Sequence, residues 1–125
     1  MTRQPRKQIS QAELDVMDVL WADSPLAASD VASKLFAKDW NIRTVKTLLS
    51  RLVEKQVVQT EQDGRRYLYS PLVSRKDYAS GAVRKLTNRL FGGRAAPLVA
   101  HLAAGDGLSE QDISELEALI RELKQ

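Results

Sequence analysis

The hydrophobic period of the chain changes after residue 55, and this change limits the folds that the sequence can adopt. Before it, apolar residues recur every three or four positions, which is typical of helices. After it, residues 57–61 and 65–70 have the composition of two short strands. The dipeptide Asp63-Gly64 lies between these strands and is typical of a tight hairpin turn. The sequence therefore predicts a helical segment that continues directly into a β-hairpin.

Two helices are predicted at the start of the chain. Ser10 and Glu13 have the spacing of a capping box, and an apolar stripe follows them. A second helix is predicted from about Ser29 to Ala37, with Ser29 or Asp30 as its cap. The residues predicted to face inward on this second helix are Val31, Ala32, Leu35 and Phe36.

A third helix, residues 41–55 with Asn41 as its cap, separates apolar from basic side chains. At about 100° per residue, Val45 and the leucines that follow it share one side. The first turns and the opposite side carry Arg43, Thr44, Lys46, Thr47 and Arg51. Three helices followed by a hairpin is the element order of a winged helix-turn-helix, which we predict for residues 1–72. The predicted fold class is mostly α.

Residues 73–125 are predicted to form a second, helical domain. Its three helices are too short to close a core alone, so we expect them to pair with a second copy of the chain. Packing against the chain's own winged helix stays open as the alternative. The predicted dimer contacts are Leu86, Leu90, Leu98, Leu102, Leu116, Leu119 and Ile120.

The basic residues suggest a polyanion partner, although the net charge is only +3. A helix fits the major groove of DNA, where the side chains of its first turns meet the base edges. We therefore predict that helix 41–55 and wing 57–70 bind duplex operator DNA. The predicted contacts are Arg43, Thr44, Lys46, Thr47 and Arg51 on the helix and Arg65 and Arg66 in the wing, with Arg3, Arg6 and Lys7 as a basic arm.

Several classes of protein are not expected. The chain has no cysteine and a single histidine, His101, so disulfides and the usual zinc sites are excluded. It shows no nucleophile–base pair, so we expect no enzyme, no cofactor and no metal.

Residues 1–8 lack the apolar run of a signal peptide, and no stretch predicts membrane insertion. A cytoplasmic, nucleoid-associated protein is expected. Two alternatives stay open: a winged-helix module that binds protein, and a repressor that senses a small ligand.

Five stretches together resemble one known family, the penicillinase repressors, also called the methicillin-resistance and copper-homeostasis repressors. They are residues 11–21, 44–52, 63–71, 90–93 and 108–110. The resemblance implies a homodimeric repressor of β-lactam resistance genes on dyad-symmetric operators, with the C-terminal helices forming the dimer. It also implies release by proteolysis in those helices, triggered by a membrane-bound sensor protease.

The chain departs from the family pattern at three points. The copper branch has cysteines near its C-terminus, and this chain has none. The β-lactam branch is cut at Asn-Phe, and the matching positions here are His101-Leu102. The family usually has glycine after the third helix, where this chain has Gln56. If that position needs left-handed geometry, we expect glutamine to cost about 1 kcal/mol there.

Overall fold

The structure, a computed structural model, describes residues 8–125, which contain six α-helices and three strands. The helices are α1 (Gln11–Ala22), α2 (Ala28–Lys34), α3 (Ile42–Glu54), α4 (Arg75–Phe91), α5 (Ala95–Ala104) and α6 (Glu110–Leu123). The strands are β1 (Leu26–Ala27), β2 (Val58–Asp63) and β3 (Arg66–Pro71). The predicted mostly helical class, with a winged helix-turn-helix before the later helices, is confirmed.

The chain forms two compact units, residues 8–81 of the described part and residues 82–125. The domain boundary predicted after residue 72 stays a prediction, because α4 begins in one unit and ends in the other. None of the helices in residues 8–125 is long and apolar enough to cross a bilayer. The predicted basic arm, Arg3, Arg6 and Lys7, lies outside the described residues.

The core of the first unit is built from the apolar stripes of its three helices. The fully buried side chains include Val16, Met17 and Leu20 of α1, Val31 of α2, and Val45, Leu49 and Leu52 of α3. Val57 and Val58 extend this core to the start of β2. Burial of one side of α3 against α1 and α2 leaves its other side exposed.

The three strands form one antiparallel sheet in the order β1-β3-β2. Leu26 of β1 is paired with Tyr69 of β3, which is paired on its other side with Thr60. β1 was not predicted, since two residues are too few to show an alternating pattern. The hairpin turn also lies one residue later than predicted. Asp63 is paired with Arg66, so Gly64 and Arg65 form the turn, and Gly64 has a φ of 66°.

The predictions for α2 are wrong in two respects. Neither Ser29 nor Asp30 caps the helix; the N-cap is Ala27, which also belongs to β1, so pairing of that strand determines where the helix begins. The α-helix ends at Lys34, and a 3-10 turn, Phe36–Lys38, follows it. A 3-10 helix rotates and rises more per residue than an α-helix, so the α-helical period no longer places Phe36 inward. Its side chain is 82% exposed.

The C-terminal end of α3 needs the left-handed geometry that glycine favours. Gln56 has a φ of 66°. Its N–H donates to the carbonyl of Val53 at 3.0 Å, and the N–H of Val57 donates to that of Leu52 at 3.1 Å. These two bonds make a Schellman motif, and Leu52 and Val57 at its two ends both belong to the hydrophobic core.

Replacing Gln56 with glycine is expected to raise the free energy of unfolding by about 1 kcal/mol, because the Cβ of glutamine is strained at positive φ. Urea denaturation measures the difference. Gln56→Ala is the matched control, since it shortens the side chain but keeps the Cβ and should give no comparable gain. Equal stabilities for the glycine and alanine variants would contradict the explanation.

The second unit, residues 82–125, has little buried interior of its own. Only Thr87 is buried there, and its hydroxyl donates to the carbonyl of Val83 at 2.6 Å. The final helix, α6, begins at a capping box in which Ser109 accepts from the N–H of Asp112 at 3.0 Å. Its apolar residues are substantially exposed, and so are several on α4 and α5.

Candidate nucleic-acid interface

The first turn of α3 is fixed by its cap. The Asn41 side-chain oxygen accepts from the N–H of Thr44 at 2.9 Å, as the sequence predicted. Thr44 itself is half-buried. The cap holds the beginning of the helix rigid at the positions where a major-groove helix meets base edges.

The exposed side of α3 forms one continuous surface, which we call the α3 outer face. It is a shallow, open depression lined by Ile42, Arg43, Lys46, Thr47, Ser50, Arg51 and Glu54. Four of the five helix residues predicted to bind DNA are therefore brought together, and Thr44 is the one left out. The other three residues of this surface, Ile42, Ser50 and Glu54, were not predicted to contact DNA. The helical period assigns Ile42 to the apolar side, and Glu54 is the single acid of this surface.

The positive charges of the α3 outer face have no acidic partner within residues 8–125. None of the ion pairs there involves Arg43, Lys46 or Arg51. The hydroxyl of Thr47 donates to the carbonyl of Arg43 at 3.0 Å, so it can offer a ligand only its lone pairs and its methyl group. The surface thus presents free cations and small apolar groups together.

The wing contributes a second cluster of basic residues. Arg65 lies in the turn and is exposed, while Arg66 is 3.5 Å from Asp63 in an exposed ion pair. Both lie outside the depression on α3. Tyr69 on β3 packs against the core, which anchors the base of the wing.

The polypeptide that leaves the wing is tied to α1. The indole N–H of Trp21 donates to the carbonyl of Val73 at 2.9 Å. The guanidinium of Arg75 lies 5.0 Å from the centre of the Trp21 ring and 3.3 Å from the carboxylate of Asp18. Tyr78 packs on the same ring, and burial, with the charge of Glu13, raises the pKa of its phenol. Trp21 is therefore a structural anchor.

An ion pair in the core joins the beginning of α1 to the end of α3. The Lys55 ammonium donates to Glu13 Oε1 at 2.6 Å and to the carbonyl of Gln8 at 2.8 Å. Glu13 is 1% exposed, and its second oxygen has no partner within the described residues. Burial acts to raise the pKa of Glu13, but Lys55 and the hydrogen bonds with Ser10 outweigh it and hold that pKa below its usual value.

The residues predicted to form the dimer lie on all three C-terminal helices. Leu86, Leu90, Leu102, Leu119 and Ile120 are exposed, whereas Leu98 and Leu116 are half-buried. The predicted cleavage position, His101-Leu102, lies within α5, and the His101 ring is 5.9 Å from that of Phe91. Across residues 8–125, no cluster of histidine and acidic residues is arranged to hold a metal ion.

Comparison with known proteins gives consistent matches over nearly the whole chain. The family model described as penicillinase repressor matches residues 9–122. The penicillinase repressor of Bacillus licheniformis is 32% identical over 118 residues, which cover 94% of this chain and 92% of the relative.

Two solved structures of a related repressor each match more than half of the chain. The DNA-binding domain of the repressor BlaI is 34% identical, with a TM-score of 0.53, over 62% of this chain and 94% of that domain. The monomeric form of Bacillus licheniformis BlaI in complex with the blaP half-operator is 36% identical, with a TM-score of 0.50, over 58% of this chain and 89% of that one.

Proposed function

This chain belongs to the penicillinase repressor family, and we propose from that membership that it represses transcription by placing α3 and the β2–β3 wing on duplex operator DNA. It is a DNA-binding transcriptional repressor rather than an enzyme. The residues proposed to bind DNA are Arg43, Thr44, Lys46, Thr47 and Arg51 on the helix and Arg65 and Arg66 in the wing. The protein is proposed to bind this DNA in the cytoplasm.

The observation that carries this proposal is the α3 outer face. Its cations are exposed and lack ion-pair partners among residues 8–125, and they lie on a helix whose other side is buried. Unpaired cations on a rigid helix can displace counterions from DNA phosphates without first breaking bonds within the protein. A relative solved with a half-operator has the same domain over more than half of this chain.

We expect Arg43→Ala and Lys46→Ala each to weaken binding to the preferred operator by about 1–3 kcal/mol and to relax its sequence preference, because both side chains can donate to guanine. Arg65→Ala should weaken binding to all duplexes nearly equally and lower the salt slope by about one unit. Fluorescence anisotropy between low and moderate salt measures both effects.

Lys34→Ala is the control for charge alone. Lys34 is exposed, is paired with Asp23 at 3.7 Å, and belongs neither to the α3 outer face nor to the wing, so its loss should leave operator affinity nearly unchanged. If DNA binding does not depend on salt concentration and is not weakened by Arg43→Ala or Arg65→Ala, the proposed operator binding is rejected. A winged-helix module that binds protein is then favoured.

The second unit is proposed to form the homodimer. Its exposed apolar residues lie on the second half of α4, on α5 and on α6. Only Thr87 is buried among residues 82–125. Water is a poor solvent for such a surface, and a second copy with two-fold symmetry can bury it. Two joined copies would then present two α3 helices to the two halves of a dyad-symmetric operator.

Release by proteolysis is proposed to act on this same dimer. The His101–Leu102 bond lies in α5, and Leu102 is 56% exposed in the single chain. Cutting α5 would divide the second unit and uncouple the two half-site contacts, so operator affinity would collapse. A membrane-bound sensor protease is the proposed trigger, and β-lactam resistance genes are the proposed targets.

A further inference from the structure

One apolar side chain lies on the proposed DNA surface and is not used by the core. Ile42, the first residue of α3, is 42% exposed and is absent from the core cluster of the first unit. β-Branched side chains are not favoured by helix formation either. Neither packing nor helix propensity therefore accounts for isoleucine at this position.

The neighbours of Ile42 define what its side chain can meet. It lines the α3 outer face together with Arg43, Lys46 and Thr47. Lys46 is one helical turn beyond it, so the two side chains are neighbours on the helix surface. A ligand held by the cations of this surface therefore brings its own atoms against the Ile42 methyl groups.

We propose that Ile42 determines operator specificity by contacting the 5-methyl group of a thymine in the major groove, an inference that rests on the proposed function. Thymine is the one base with an apolar group in that groove. The first residues of a recognition helix are the ones that reach base edges. Contact between Ile42 and this methyl group removes two apolar groups from water. The neighbouring cations bind polar base edges and cannot make this apolar contact.

Replacing thymine with uracil in the operator isolates this contact, because uracil pairs identically and lacks only the methyl group. Wild-type protein first selects its preferred duplex from a random library, and affinity is then measured for the thymine and uracil versions. Burial of one methyl group corresponds to about a fourfold change in affinity. We expect the uracil penalty to be about fourfold smaller for Ile42→Ala than for the wild type, and Ile42→Val to keep most of it.

Phe36→Ala is the matched control, because Phe36 is more exposed than Ile42 but lies outside α3 and its depression. Its uracil penalty should equal that of the wild type. An Ile42→Ala variant that loses affinity equally on both duplexes, or on neither, overturns the thymine contact while leaving DNA binding intact. A wild-type protein that selects no duplex overturns the proposed function itself. Thermal unfolding shows that each variant is folded.

Discussion

Replacing Leu119 and Ile120 with glutamate is expected to lower affinity for a dyad operator by about 10²- to 10⁴-fold, although neither residue is part of the α3 outer face. Both side chains are about half exposed on α6. Buried at an interface between two copies, the new carboxylates would be desolvated without partners. The monomer would then hold each half-site alone and lose the high effective concentration of the second contact.

Two measurements separate this effect from a general loss of folding. Sedimentation should show a monomer, and affinity for a single half-site should change only slightly. Gln111→Glu is the control for added negative charge on the same helix, because Gln111 lies on the side of α6 opposite its apolar stripe. A variant that stays dimeric, or that binds the full operator as well as the wild type does, would rule out this interface.

Replacing Lys55 with methionine should lower the free energy of unfolding by about 3 kcal/mol, because it leaves the buried Glu13 carboxylate without its counter-charge. Methionine has a similar length, so the loss is chiefly electrostatic. Lys34→Met is the matched control. It removes an exposed pair with Asp23 and should cost less than about 1 kcal/mol.

The same substitution should weaken the effect of acidic pH on stability. In the wild type the pKa of Glu13 is lower when folded, so its contribution is present above its ordinary value of 4.5 and is lost as pH falls through the folded pKa. Without Lys55, two of the causes that lower the pKa of Glu13 are lost, so its folded pKa should move up towards that of the unfolded chain. The variant should then lose less stability than the wild type as pH falls through the acidic range, which urea titrations at several pH values would detect. An unchanged pH profile would contradict the role of this pair.

The helices that the sequence predicted well share a local signal. The capping residues Ser10 and Asn41 lie where α1 and α3 begin, because each side chain accepts from a backbone N–H only three residues away. The basic side of α3 was predictable for a similar reason, since the helical period assigns its residues to two sides.

The features that the sequence did not predict depend on distant partners or on the end of a regular pattern. Glu13 and Lys55 are 42 residues apart, and no periodicity connects them. β1 exists because β3 lies beside it. The period places Ile42 on the apolar side of α3, but this first turn extends past the core and leaves the side chain exposed.

On α3, the residues that pack against the core differ from those proposed to contact DNA. This separation affects how such a protein can come to bind a different operator. The residues that hold the helix in place, Val45, Leu48, Leu49 and Leu52, are all buried, and none of them lines the α3 outer face. Residues outside contact with one another usually make additive contributions. New side chains on the outer face can therefore be selected without rebuilding the core, so a single scaffold can be retargeted to another operator by a few surface substitutions.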